Sequence, residues 1–360
     1  MSGISVLVKV TAARPEPSEE LSGIGVVGLG YWGPNLLRTL HELRCSRRIV
    51  ACDVDAQALM RVERLHRDVE VSARFDDLLE DPEIEAVVIA TPASTHFTIA
   101  KQALTAGKAV LVEKPLATSF ADGAELVRIA RERKSVLMVG HIFEYSRPIA
   151  KVADIVRSGE LGEIVHINFV RASLGLLHHD VNVVWDLATH DVSIAMRLMG
   201  GMPTAVGCQG QSHCRCGVED VAMLTLRFPT NVIVFIYVSW LGALKTRRAT
   251  IVGSKKTLLF DDVAVHDNIR LYDRVVAPNP LDGDYGKFRR SERQKEIAPA
   301  RLQESRPLDM ECRHFVDCVL TGSTPRTDGL SALRAVSVLE AANLSLQQRG
   351  AMVPIRPADV

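Results

Sequence analysis

The chain has 360 residues, 47% of them hydrophobic and 24% charged, and its 43 basic residues balance 43 acidic ones. This length favours two domains, and the composition is typical of a globular protein. The balanced charge argues against a nucleic-acid or anionic-membrane partner, because both require a basic face. The basic cluster of Arg289, Arg290 and Arg293 has acidic neighbours, so we interpret it as part of a solvated loop.

The first 20 residues contain a short apolar patch, followed by Pro15, Pro17 and glutamates. This patch is too short, and too poorly preceded by positive charge, for a secretory signal. No apolar run in the sequence reaches the ~20 residues that span a bilayer. We therefore expect residues 1–20 to form a flexible extension and the protein to be cytoplasmic.

Short apolar runs alternate with helical patterns between residues 21 and 140. The predicted strands begin near Gly23, Arg47, Val69, Ile84, Lys108 and Ser135. Their apolar runs lack a clean two-residue alternation, as in parallel strands that are buried on both faces. This half of the chain is predicted to be a doubly wound α/β domain of the Rossmann dinucleotide-binding type.

The pattern changes after about residue 145. One strand and a helix over 184–198 are followed by several strands with short connections, and helices over 309–320 and 329–349 close the chain. Closely spaced strands favour antiparallel pairing, because parallel crossovers need a dozen or more residues. Residues 141–360 are therefore predicted to form an α+β domain with a broad, mostly antiparallel, open-faced sheet and helices on one face.

Seven cysteines are scattered along the chain, and their odd number argues against a disulfide framework. Cys208, His213, Cys214 and Cys216 lie close together in sequence, and we considered a zinc site there. Their C-x-C spacing differs from the C-x₂-C spacing of structural zinc sites. We expect free thiols and no bound metal.

The residues G-L-G-Y-W-G follow the first predicted strand and open the first predicted helix. In this context Gly28 permits the turn, Gly30 lets a pyrophosphate approach the backbone, and Gly33 allows close packing of helix on strand. Asp53 ends the next strand, where a carboxylate binds the adenosine ribose and repels a 2′-phosphate. The pattern predicts an NAD site and disfavours NADP; the alternative is a similar turn that binds no dinucleotide.

Further polar residues follow two later strands, in T-P-A-S-T-H and V-E-K-P. In an open parallel sheet, ligands bind at the carboxyl ends of the strands. The expected cofactor-side residues are Thr91, Pro92, His96, Glu113 and Lys114. Lys114 could hydrogen-bond a substrate hydroxyl and help remove its proton, although a lone lysine at a strand end is more often a surface charge.

Asp186 and His190 lie four residues apart, and on a helix they share one face. An aspartate beside an imidazole is a common general acid–base arrangement. The flanking apolar residues, Trp185 among them, indicate partial burial. The alternative is the polar face of an ordinary helix, and we assign no role to His178 and His179.

These motifs, from Gly23 to the C-terminus, resemble the glucose–fructose oxidoreductase, inositol dehydrogenase and rhizopine-catabolism (Gfo/Idh/MocA) family of sugar and cyclitol dehydrogenases. The resemblance rests on G-L-G-Y-W-G, Asp53, the E-K-P tripeptide and the D-x₃-H motif. It implies that His190 is the general base, that Asp186 orients it, and that Lys114 binds the same substrate oxygen. It also implies a homodimer or homotetramer formed through the second sheet.

The remaining expected site residues are less specific. Tyr31 and Trp32 are expected near the nicotinamide, and the expected pocket-wall residues are His141, Glu144, Tyr145, Asn182 and Trp185. The expected substrate is a secondary alcohol of a sugar, nucleotide-sugar or cyclitol. Two alternatives stay open: NAD held tightly and cycled within the site, and a non-catalytic NAD(H)-sensing protein on the same fold.

Overall fold

The computed structural model describes residues 20–175, 180–215, 217–264, 268–273 and 306–358. The predicted extension up to residue 19, His178, His179, Cys216 and the basic cluster at 289–293 lie outside these ranges.

The first half of the chain forms a six-stranded parallel sheet with the order β3-β2-β1-β4-β5-β6. Its strands are β1 (Leu21–Val27), β2 (Ser46–Cys52), β3 (Glu70–Ser72), β4 (Ile84–Ile89), β5 (Ala109–Glu113) and β6 (Leu137–Gly140). The helices between them are α1 (Gly33–Leu43), α2 (Ala56–Leu65), α3 (Phe75–Glu80), α4 (His96–Thr105) and α5 (Phe120–Arg133). The predicted Rossmann domain is confirmed.

The central strands of this sheet are buried on both faces, which explains their unbroken apolar sequences. Val87, Val88 and Ile89 in β4 have no exposed surface, although successive side chains point to opposite faces. Because the strands are parallel, the carboxyl ends of β1, β2, β4 and β5 meet at one edge of the sheet.

The second half forms an eight-stranded sheet with the order β13-β12-β11-β7-β10-β9-β8-β14. Its strands are β7 (Ile164–Leu174), β8 (Ala205–Gln211), β9 (Val221–Arg227), β10 (Ile233–Ser239), β11 (Leu241–Gly253), β12 (Lys256–Asp261), β13 (Ile269–Asp273) and β14 (Val353–Pro354). The predicted mostly antiparallel sheet is confirmed. One pair departs from the antiparallel pattern: β10 lies parallel to β7, with Ile236 opposite Phe169.

Helices cover one face of this sheet. The segment Val184–Ala188 and α9 (Gly329–Gln347) pack against it, together with α7 (Thr189–Met199). In β9 and β10 the inward residues are buried, whereas the outward Met223 and Phe235 are 50% and 36% exposed. The sheet therefore presents an uncovered face with apolar side chains on it.

One helix was missed by the sequence patterns, and another, correctly predicted over 309–320, packs mainly on the first half of the chain rather than on the second sheet. The helix α6 (Arg147–Arg157) was not predicted, although Pro148 in its first turn and the buried Ile149, Val152 and Ile155 form a helical signal. The closing helix α8 (Pro307–Thr321) packs on α1, and its Phe315 shares a core with Leu21 of the first sheet. The chain thus returns to the first half of the molecule after the second sheet.

Within the described ranges, none of the helices combines the length and apolar character that a membrane-spanning helix needs. The cytoplasmic location stays a prediction.

Candidate active site

The glycine loop connects β1 to α1. Gly28 has a φ of +92°, and a Cβ at that position would lie 2.8 Å from the backbone of Ala90. A Cβ on Gly33 would overlap the carbonyl oxygen of Gly28, whereas Gly30 faces open space. The outer two glycines are therefore needed for the turn itself. Gly30 leaves the backbone open to a ligand, as a pyrophosphate requires.

Asp53 follows β2 and holds the glycine loop from the side. Its Oδ2 accepts a hydrogen bond from the amide of Leu29 at 2.5 Å, and its Oδ1 accepts one from the amide of Asp55 at 2.8 Å. The helix α1 begins without a side-chain cap on Trp32, so its positive end is available to an anion. A carboxylate at the ribose position and a helix terminus at the pyrophosphate position fit NAD.

Tyr31 and Trp32, at the end of the glycine loop, take different positions. Tyr31 is 78% exposed, whereas Trp32 is partly buried and donates a hydrogen bond to the carboxylate of Glu113. Trp32 therefore ties the glycine loop to the end of β5. Tyr31 is left at the open side of the loop.

His96 connects the two loops that follow β4 and β5. Its Nδ1 lies 2.7 Å from the carbonyl oxygen of Pro115, and its Nε2 lies 2.9 Å from that of Thr91. The ring is buried, and this burial lowers its pKa. Thr91 also accepts a bond from Thr95, and Pro92 between them is exposed. In this geometry His96 positions the strand-end loops through their backbone.

Lys114 and Asp186 join the two halves of the molecule. The Nζ of Lys114 donates to Oδ1 of Asp186 at 2.8 Å and to its carbonyl oxygen at 2.9 Å. The indole Nε1 of Trp240 donates to Oδ2 of the same carboxylate at 2.9 Å. Both charged side chains are mostly buried, at 20% and 13% exposure. The ammonium is therefore held at the carboxyl edge of the first sheet by a residue of the second half.

His190 follows a helical segment, Val184–Ala188, whose hydrogen bonds span five residues, where the sequence predicted a regular helix. Such wide turns are frequent at functional sites. Its Nδ1 is buried and has no hydrogen-bond partner among the residues that the structure describes. Asp186 does not bind this nitrogen, and the orienting role that the family resemblance implies for it stays a prediction. Burial lowers the pKa of His190 well below its usual value, and Lys114 and Arg171 lower it further.

A stack of side chains on β7 and the β6–α6 connection supports the His190 ring. The Phe143 ring meets it edge to face at 5.0 Å, and the guanidinium of Arg171 lies 4.5 Å above the Phe143 ring. Arg171 is 6% exposed and forms a two-pronged ion pair with Asp191. The sequence patterns did not identify Phe143 and Arg171 as site residues. The signal that could have found Arg171 is a charged residue within the otherwise largely apolar strand β7.

His141 is a second buried imidazole near the ammonium. It is 4% exposed, and its Nδ1 also has no partner within the described ranges. Burial, followed by the charge of Lys114, lowers the pKa of His141 to about 4. The ring is therefore neutral at pH 7, with a polar atom that only a ligand or water can satisfy.

The other predicted wall residues are engaged elsewhere. The hydroxyl of Tyr145 lies 3.0 Å from Thr327 in the core beneath α8. The amide of Asn182 donates to Glu219 at 2.8 Å and its oxygen accepts from the backbone of Trp185, so it caps the Val184–Ala188 segment. Trp185 itself is 6% exposed, in a hydrophobic core that includes residues of β9 and β10. Glu144 pairs with Arg197 at 2.9 Å.

Two buried carboxyl groups lie behind the glycine loop. Burial raises the pKa of Glu113 to about 7, against the opposing effects of Lys114 and of the bond from Trp32. Glu311 on α8 has no exposed surface, and neither of its oxygens has a partner in the described part of the chain. Burial and the charge of Glu113 raise the pKa of Glu311 well above 4.5, so it retains its proton under conditions that ionise an exposed glutamate.

We expect Glu311→Gln to stabilise the protein increasingly as the pH rises. The pKa of Glu311 is higher in the folded than in the unfolded state, so the wild type loses stability between pH 4.5 and the folded pKa. The advantage of the variant should grow by up to about 1.4 kcal/mol per pH unit in that window. Urea unfolding at pH 5, 6, 7 and 8 measures it. The exposed Glu80→Gln is the control, and a pH-independent difference would contradict the prediction.

The cysteine-rich segment lies along β8 and in the loop after it. Cys208 is buried within β8, and His213 binds the carboxylate of Asp220 through Nδ1 at 2.8 Å. Cys214 is exposed, and Cys216 lies outside the described residues. No group of three or more metal-ligating side chains is found in the described ranges.

Comparison with known proteins gives relatives over most of the chain. D-apiose dehydrogenase of Paraburkholderia graminis is 24% identical over 90% of this chain and 87% of its own length. The 2,7-anhydro-N-acetylneuraminate hydratase of Mediterraneibacter gnavus is 26% identical over 58% of this chain. The chain spans 59% of the length of that hydratase and 65% of the length of the uncharacterized oxidoreductase YrbE of Bacillus subtilis. Both shares are less than two thirds.

Solved structures share the whole architecture. Levoglucosan dehydrogenase, in complex with NADH and levoglucosan, superposes with a TM-score of 0.80 over 94% of this chain and 100% of its own. Its sequence is only 16% identical, so this likeness shows the fold alone.

Two family models match consecutive parts of the sequence. The model of the oxidoreductase family with an NAD-binding Rossmann fold matches residues 22–141, and that of the GFO/IDH/MocA C-terminal domain matches residues 149–259. Together these matches cover more than half of the chain. The chain therefore belongs to the Gfo/Idh/MocA family of oxidoreductases, whose Rossmann domain binds NAD.

Proposed function

We propose that this protein is an NAD-dependent dehydrogenase that interconverts a secondary hydroxyl and a ketone on a sugar, nucleotide-sugar or cyclitol. One observation carries the proposal: the buried ion pair of Lys114 and Asp186 lies at the cofactor edge, near the neutral His190. This set supplies a charged hydrogen-bond donor and a proton acceptor beside the predicted nicotinamide position.

The residues around the glycine loop fit NAD. Gly28, Gly30 and Gly33 shape the pyrophosphate site, and Asp53 offers its carboxylate to the adenosine ribose. When bound, NAD supplies the hydride acceptor, which is the chemistry that the protein side chains lack. Trp32 holds the loop in place through Glu113.

The substrate hydroxyl would lie among Lys114, His141 and His190. The ammonium of Lys114 donates a hydrogen bond to the substrate oxygen and stabilises negative charge that develops on it. The imidazole of His190, neutral because its pKa is lowered, accepts the hydroxyl proton. His141 offers its unpartnered Nδ1 to a neighbouring hydroxyl.

Asp186 takes a different role in this proposal from the one that the sequence predicted. Its two carboxylate oxygens receive hydrogen bonds from Lys114 and Trp240. Asp186 therefore positions the ammonium of Lys114 through a charge-assisted hydrogen bond. The proton transfer itself is left to His190.

The substrate class rests on the names of relatives, which include dehydrogenases of D-apiose and scyllo-inositol. Absorbance at 340 nm with NAD⁺ and a panel of sugars, nucleotide-sugars and cyclitols tests the proposal. Growth of the NADH band with at least one of these alcohols is the expected result. Tight NADH binding without turnover on any of them would favour the NAD(H)-sensing alternative, which the presence of Lys114, Asp186 and His190 opposes.

We expect Asp53→Ala to reduce the preference for NAD over NADP. The carboxylate binds ribose hydroxyls and repels a 2′-phosphate, so its removal should weaken NADH binding about tenfold and strengthen NADPH binding. Fluorescence titration of both cofactors measures the ratio of their affinities. Asp55→Ala is the control, because its side chain caps α2 and accepts from Gln57. An unchanged ratio in Asp53→Ala would contradict the assignment.

A second candidate is a reaction in which NAD is reduced and reoxidised within one turnover. The hydratase relatives from Mediterraneibacter gnavus and Escherichia coli support it, because hydration involves no net oxidation. The two candidates differ in the cofactor balance. A substrate that is converted while total NADH stays constant, with NAD retained through gel filtration, would favour internal cycling.

We also propose that the uncovered face of the second sheet forms a homo-oligomer. Its outward residues in β9 and β10 include Met223 and Phe235, with Tyr237 directly opposite Met223. Exposed apolar side chains in such a row are typical of protein interfaces. Light scattering of Phe235→Lys, compared with the wild type, should show a smaller assembly.

A further inference from the structure

A polar cleft of about 640 Å³ includes His141 in its wall. It lies between the β6–α6 connection, α7, the connection between α8 and α9, and the C-terminal tail. We call it the arginine cleft; the lining residues that matter here are His141, Glu144, Ser193, Arg197, Arg326 and Arg334. Its volume falls within the range of small-molecule sites, roughly 300–1,000 Å³.

Two guanidinium groups meet at one oxygen in this cleft. The Nη1 atoms of Arg197 and Arg326 both donate to the carbonyl oxygen of Glu144, each at 2.9 Å. The two nitrogens are therefore separated by no more than twice that distance. Like charges this close repel each other unless an anion compensates them.

The carboxylate of Glu144 compensates only one of the two. Its Oε2 accepts from Arg197 at 2.9 Å, and its Oε1 accepts from the hydroxyl of Ser193 at 2.7 Å. Arg326 has no ion pair with any residue that the structure describes. Its guanidinium lies 5.1 Å from the centre of the Tyr145 ring, so it is held in place without a carboxylate.

Arg334 adds a further positive charge at the rim of the cleft. It lies on α9, is exposed, and forms no ion pair within the described ranges. With Arg197 and Glu144 balanced, Arg326 and Arg334 leave two positive charges in a concave site.

We propose that the arginine cleft binds a small anion with phosphate or carboxylate groups, held between Arg326 and Arg334. A guanidinium binds either group through two parallel hydrogen bonds, and Arg326 is already oriented by its other contacts. This site is separate from the predicted NAD site and does not depend on the proposed dehydrogenase activity.

Calorimetric titration of the full chain with pyrophosphate and, separately, with citrate tests the proposal. Saturating NADH keeps the cofactor's own pyrophosphate site filled, and chloride holds the ionic strength constant, because screening weakens non-specific binding. We expect one equivalent of at least one anion to bind the wild type. Arg334→Ala should weaken that binding about tenfold or more, since it removes a charge-assisted contact.

Arg61→Ala is the matched control, because Arg61 is also an exposed helical arginine without an ion pair in the described ranges. Arg334→Gln is a second variant should Arg334→Ala fold poorly, as judged by thermal unfolding. Preferential binding of pyrophosphate would identify phosphate as the group that the cleft binds, and preferential binding of citrate would identify carboxylate. No saturable binding of either anion at about 10 mM would overturn the proposal. Equal binding by the Arg334 variant and the wild type, or equal loss in the two alanine variants, would also overturn it.

Discussion

Replacing Lys114 by methionine is expected to lower kcat/KM about 10³-fold while NADH affinity changes by less than about threefold. Methionine keeps the length of the side chain and removes its charge. The ammonium lies at the cofactor edge and donates to Asp186 at 2.8 Å, so its loss removes the charged donor for the substrate oxygen. Steady-state absorbance at 340 nm and NADH fluorescence measure the two effects separately.

Lys101→Met is the matched control, because Lys101 is a half-exposed lysine on α4 that pairs with Glu125. Its kcat/KM should stay within about twofold of the wild type, as for most exposed ion pairs. Asp186→Asn alone should also lower kcat/KM strongly. In the Lys114→Met background it should lower kcat/KM little further, since both changes disrupt the same ion pair. A Lys114 variant with more than about a tenth of wild-type kcat/KM would contradict the role that we propose.

The first sheet was predictable because its signals are local. Parallel strands such as β4, β5 and β6 are buried on both faces, so their sequences are largely apolar runs, and each helix between strands keeps its own periodicity. The parallel pairing of β7 with β10 was not predictable in this way. Both strands alternate in burial like their antiparallel neighbours, and no short connection fixes which strand inserts between β11 and β9.

The site residues were predictable by type and position, but their partners were not. Lys114 and Asp186 are 72 residues apart, and their contact depends on how the two halves of the chain meet. The spacing of Asp186 and His190 suggested a mutual contact, yet the carboxylate binds Lys114 and Trp240. Trp240 lies between β10 and β11 and carries no motif. Glu311 was not predictable for the same reason, because its burial depends on the packing of α8 against α1 and against the β6–α6 connection.

Replacing His190 by asparagine is expected to lower kcat by about 10² to 10⁴, the usual contribution of a general base. Asparagine fills a similar space and retains a polar atom, so NADH affinity should change little. His166→Asn on β7 is the control, because its side chain is half-buried in the second sheet and lies outside the proposed machinery. Turnover within about tenfold of the wild type would show that His190 is not the base.

The pH profile gives an independent test of the same assignment. Burial lowers the pKa of His190 well below 6.5, and Lys114, Arg171, His141 and Arg247 lower it further. The neutral base therefore persists below pH 6.5, and the acid limb of kcat/KM for alcohol oxidation should fall only at lower pH. Arg247→Met removes one of these positive charges, so it should raise the pKa of His190 and move the acid limb to higher pH. If the limb moves the other way or stays in place, another group carries the proton.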